Sequence, residues 1–150
     1  MYFIDRKKIT DTLTYMERLL EGYEKHEHWN SDIIHELALE KLVQNVIESI
    51  IDVGNSMIDG FIMRDPGSYE DILDILLDEK VISQEMHSPL VQVIGLRKML
   101  VREFIKVDTE LVISTMNESL DALKQFAPAV RSYLENELGA VSAFMPEDES

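Results

Sequence analysis

Residues 97–106 concentrate chemistry that the rest of the chain lacks. Arg97, Lys98, Arg102 and Lys106 stand there against one acid, Glu103, so the window carries +3 in a chain of formal net charge −15. Lys98, Arg102 and Lys106, at i, i+4 and i+8, form one helical stripe able to hold phosphate, although an ordinary solvated helix face has the same pattern. Arg97 falls elsewhere, near the middle of an apolar face made by Leu90, Val93, Ile94, Leu100, Val101 and Phe104. A guanidinium in that position needs a carboxylate, because an uncompensated buried charge is strongly unfavourable. Glu48 or Asp52 is the expected partner; with Asn45, Asn55 and Asp59 they form a polar stripe at three-four spacing. A structural ion pair, or a head group reaching water at the rim, would satisfy the same pattern.

Other constellations are weaker. His26, His28 and His35 lie among Glu24, Glu27, Asp32 and Glu36 and could supply nitrogen and oxygen ligands to a metal. The spacings match neither a Glu-x-x-His pair nor a His-Glu-x-x-His helix, so a solvated loop is expected, with no metal and no cofactor. The absence of cysteine excludes a disulfide framework, a thiolate zinc site and a Cys nucleophile. No phosphate-cradling glycine loop and no Gly-x-Ser-x-Gly elbow occurs. The eight methionines read as core filler rather than a binding groove.

These side chains need a scaffold, and the chain of 150 residues is long enough for one core. Its 45% hydrophobic and 29% charged residues match globular proteins, and 6 glycines with 4 prolines leave little punctuation for short strands. A charge of −15 repels nucleic acid and anionic lipid except at a local basic patch. The longest run free of Asp, Glu, Lys and Arg, Met86 to Leu96, is too short for a membrane span, and the N-terminus does not read as a secretory signal. A cytoplasmic location is expected.

Periodicity predicts a first helix from Asp5 to His26 on Ile9, Leu13, Met16, Leu19, Leu20 and Tyr23. Ser31 can cap a second, ending near Asp59, with Ile34, Leu37, Leu42, Val43, Val46, Ile47, Ile50, Val53, Met57 and Ile58 inward. Ser68 and Asp71 resemble a capping box for a short helix to Asp78. Ser83 can start a further turn, Ser88-Pro89 opens a helix through Lys106, and Asp108 caps the last one. That helix carries Leu111, Val112, Met116, Leu120, Leu123 and Phe126 inward, is kinked or restarted by Pro128 and ends at Gly139. The expected fold is all-α, an antiparallel helical bundle of about five helices, forming one domain over residues 1–143 with a frayed acidic tail at 144–150.

Arg97-Lys-Met-Leu-Val-Arg-Glu-Phe104, with Val107-Asp108 behind it, resembles the motif of the HepT-like branch of the HEPN superfamily, in which Arg-Asn-x-Leu-Val-His-x-Tyr leads into a similar acidic turn. Glu48 through Asp59 (ESIIDVGNSMID) and Arg64-Asp-Pro-Gly-Ser-Tyr-Glu-Asp71 resemble the helix and the Pro-Ser-Tyr loop that precede that motif in one subgroup. The resemblance implies a dimeric bundle and, in active members, a metal-independent RNase of toxin–antitoxin systems. The family's antitoxin is a small nucleotidyltransferase that adenylylates the motif tyrosine. In that chemistry the arginine steadies phosphate and the histidine moves protons.

Three positions depart from the motif: Lys98 replaces Asn, Arg102 replaces His and Phe104 replaces Tyr. Only Arg97 carries over. The reading is therefore a HepT-like homodimer with its RNase chemistry lost, partnered by a small nucleotidyltransferase antitoxin and holding RNA weakly through Lys98, Arg102 and Lys106. One rival is an active metal-independent RNase using Arg97, with Lys98 and Arg102 as phosphate clamps. The other is a non-catalytic, partner-binding helical module.

Overall fold

The three-four apolar spacings fold as helices. The computed structural model describes residues 4–142, and the acidic end at 144–150 lies outside the described residues. Helix α1 (Arg6–Lys25) buries Ile9, Leu13, Met16, Leu20 and Tyr23, and the Asp5 side chain caps it by accepting the Lys8 N–H at 3.0 Å. Helix α2 (Ile33–Gly60) is the central element, with Leu39, Val43, Val46, Ile47, Ile50 and Met57 in the core. Its cap is Asp32, which accepts the His35 N–H at 2.9 Å, and not Ser31. Helix α3 (Tyr69–Asp78) starts at Ser68, whose Oγ accepts the Asp71 N–H at 3.0 Å as the capping pattern predicts.

Helices α4 (Gln84–Ile94), α5 (Arg97–Arg102) and α6 (Thr109–Ser142) complete the chain, and no strand occurs among the described residues. Tyr15 meets Asn45 and Lys8 faces Asp52, so α1 and α2 run antiparallel. Tyr23 meets Asn117 and Glu17 meets Arg131, which makes α6 antiparallel to α1 as well. Helix α4 packs on α6, α3 lies between α2 and α4, and α5 rests on α2. The buried side chains form one core, reaching from Ile9 through Met57, Leu73 and Leu90 to Phe126 and Val130. No helix among the described residues is long and apolar enough to cross a membrane.

The structure corrects several sequence expectations. Helix α4 begins at Gln84, so Ser88 and Pro89 lie inside it; the proline removes one hydrogen bond without starting a helix. The expected helix to Lys106 is instead two. After Ile94 the bonding tightens from four residues to three, Leu96 N–H reaching the Val93 carbonyl at 3.0 Å, and α5 starts at Arg97. The break buries Leu96, which a straight helix would point away from Leu90 and Ile94. Helix α5 ends at Arg102, which leaves Phe104 in a turn and 64% exposed instead of facing inward. Ile34, Leu37 and Leu111, also expected inside, are exposed, because they sit on helix ends that no other helix covers. Helix α6 passes Pro128 and Gly139 without interruption.

Candidate functional site

Helix α5 carries Arg97 and α2 carries Glu48, and the contact between the two helices forms the site. Arg97 approaches Glu48 as a fork: Nε donates to Oε2 at 3.1 Å and Nη2 to Oε1 at 3.3 Å. The pairing pushes the Arg97 pKa above its usual value, chiefly through the hydrogen bond to Glu48. The arginine is therefore a permanent cation. Its side chain is 22% exposed and that of Glu48 43%, so the pair sits at the rim of the core and not within it. Asp52, the other candidate, lies one turn further along α2, where Lys8 stands 4.0 Å from it.

Arg97 has a second neighbour, which periodicity does not reveal. Its guanidinium carbon lies 4.5 Å from the centroid of the Tyr69 ring, a cation–π contact. Tyr69 is the first residue of α3, and a compact loop sets its position. Asp71 accepts both Arg64 Nη atoms, at 2.8 and 2.9 Å, and the Gly67 N–H at 2.8 Å. These bonds, the Arg64 pair first, lower the Asp71 pKa from 3.8 to about 2. Helix α3 approaches α2 closely at Gly54, where a Cβ would overlap Ile72 Cγ2. The Pro-Ser-Tyr loop is thereby fixed above the motif arginine. The sequence signal for Tyr69 was its place in that loop; nothing in the spacing paired it with Arg97.

The cationic stripe is only partly realised. Lys98 and Arg102 lie on α5, but Lys106 sits in the following turn, where its N–H bonds the Glu103 carbonyl at 3.1 Å. Lys98 Nζ is 3.8 Å from Glu103, whereas Arg102 and Lys106 are not ion-paired among the described residues. Phe104 and Ile105 extend the same turn as exposed apolar residues. His35 Nδ1 is 2.8 Å from Asp32 Oδ1, and His26 lies beside the Gly22 carbonyl and against Trp29. Among the described residues no group of three or more metal-ligating side chains converges.

Comparison with known proteins places this geometry in a family. A family model described as Ribonuclease HepT-like matches residues 9–130. YutE of Bacillus subtilis (strain 168), which bears a provisional RNase name, is 47% identical over 144 residues, 96% of this chain and 99% of its own length. A solved structure of YutE, described as a cytosolic protein of unknown function, matches with a TM-score of 0.91 over 96% of this chain and 100% of that one. The tri-AMPylated HEPN toxin of Shewanella oneidensis, in complex with its MNT antitoxin, shares the fold at 19% identity. Its TM-score is 0.72 over 83% of this chain and 96% of that one. A toxin–antitoxin structure with AMP-PNP matches at 18% identity and a TM-score of 0.71, over 81% of this chain and 96% of that one. Because the matched span holds Glu48, the Tyr69 loop and the whole Arg97–Phe104 motif, the chain belongs to the HepT-like ribonuclease family.

Proposed function

We propose that this protein is a homodimeric, cytoplasmic HepT-like component of a toxin–antitoxin-like system that holds RNA at its motif without cutting it. The observation that carries the reading is the set of side chains at the motif: Arg97 is forked onto Glu48, with Arg102 and Phe104 where the family pattern has His and Tyr. Arginine keeps its proton to about pH 12 and beyond, so Arg102 can bind a phosphate but cannot take a proton from a ribose hydroxyl. Positioned acid–base help is worth roughly 10²–10⁴-fold, and its loss leaves binding without turnover. Phe104 offers no oxygen to an adenylyl group. A nucleotidyltransferase partner, of the kind bound to the toxin of like fold, would act on this chain by contact and not by modification at that position.

Assembly follows from the exposed apolar residues. Asn30 donates to Glu110 at 2.6 Å, tying the starts of α2 and α6 together. Ile33, Ile34 and Leu37 on one helix and Leu111 on the other are exposed at that end, with Phe104 and Ile105 in the turn leading to it. A second copy related by a two-fold axis would cover this surface. The cytoplasmic assignment carries over from YutE, described as cytosolic.

Restoring the family residues tests the reading. Arg102→His, and Arg102→His combined with Lys98→Asn, are compared with the natural chain in an RNA-degradation assay. Silence from the natural chain and cleavage by a restored variant identify the missing imidazole as the cause. Silence from all of them favours the partner-binding module.

A further inference from the structure

Tyr69 differs from the other well-placed tyrosines of this bundle. Tyr23 is buried, stacks on Trp29 at 5.9 Å and donates its hydroxyl to Asn117 at 2.7 Å, as a structural tyrosine does. The hydroxyl of Tyr15 accepts a hydrogen bond from Asn45 at 2.7 Å. Tyr69 stays 43% exposed, its hydroxyl makes no hydrogen bond among the described residues, and its ring engages the Arg97 guanidinium. The loop that presents it is braced by the Arg64–Asp71–Gly67 bonds, so little ordering cost remains when something binds. Arg97 uses Nε and Nη2 on Glu48, which leaves Nη1 to a phosphate oxygen, and the unpaired Arg102 lies on the same short helix.

An exposed, preoriented aromatic ring beside a cation able to take phosphate is the arrangement that grips single-stranded RNA, the ring stacking a base while the cation holds the backbone. We infer that Tyr69 is the stacking platform for one unpaired RNA base at the Arg97 site. The inference rests on the proposed RNA reading of the motif. Tyr69 contributes its ring and not its hydroxyl.

The test uses fluorescence anisotropy on the full chain, with two labelled probes: a ten-nucleotide oligoadenylate and a ribose-phosphate chain of equal length lacking bases. Tyr69→Ala should weaken oligoadenylate binding by about 5- to 150-fold, the range of one base–aromatic stack. Tyr69→Phe should bind like the natural protein, and the baseless chain should bind the natural protein and Tyr69→Ala alike. Circular dichroism checks that the variants fold. If Tyr69→Ala binds oligoadenylate normally, or weakens both probes equally because it only steadies Arg97, the platform is overturned while RNA binding stands. If the natural protein binds neither probe, the RNA reading fails and the platform fails with it.

Discussion

At the scale of the residue, Arg97 answers to two partners of different character, and each can be removed separately. Exposed ion pairs contribute about 0.2–1 kcal/mol, and breaking a buried one costs about 3–5 kcal/mol. With Glu48 almost half exposed, Glu48→Gln should lower stability in urea by about 1 kcal/mol; a loss above 3 would mean the pair behaves as a buried one. Asp71 gives a pH prediction. Folding lowers its pKa from 3.8 to about 2, so the carboxylate stabilises the fold fully above about pH 4 and loses that effect as the pH falls towards 2. Asp71→Asn should therefore unfold at lower urea than the natural chain at pH 6, and the two midpoints should converge near pH 2. A gap unchanged with pH would contradict the role given to the carboxylate. Glu48 was legible because its three-four stripe meets the arginine face. Tyr69 was not, because a contact between residues 69 and 97 leaves no periodic trace in either segment.

At the scale of the element, the approach of α3 to α2 is what brings Tyr69 over the motif. Gly54→Ala would drive a methyl into Ile72, a buried β-branched side chain that cannot swing away, and overpacking of this kind costs about 1–3 kcal/mol. Gly22→Ala on α1 meets nothing within 4 Å and should instead stabilise the protein by about 0.5–1 kcal/mol. Thermal melts of the two variants should move in opposite directions; a destabilised Gly22→Ala or a neutral Gly54→Ala would contradict this packing. Apolar spacing made α1 and α2 readable, although Asp32 and not Ser31 caps the second, and capping chemistry marked the starts of α3 and α6. The break between α4 and α5 was not, since a lone glycine in a helical pattern does not by itself announce a turn. Leu96 is buried at the break, and its burial depends on neighbours distant in sequence. Reading one helix through Lys106 placed Phe104 inside, whereas α5 stops at Arg102.

At the scale of the molecule, family and helical class were legible in the motif and the loop ahead of it, while the proposed dimerisation and the proposed catalytic silence concern surfaces that periodicity does not describe. Light scattering at micromolar concentration should give twice the 17.3 kDa chain mass. A species of 17.3 kDa alone would contradict the proposed two-fold dimer. The central claim is that the motif holds RNA and does not cut it. The most direct measurement incubates the natural protein with labelled single-stranded RNA at neutral pH in the presence of a chelator, reading anisotropy for binding and a denaturing gel for breakage. The account predicts binding that weakens as salt rises, with the RNA intact. Fragments that accumulate with the natural chain and disappear when Arg97 is replaced by Ala would contradict it.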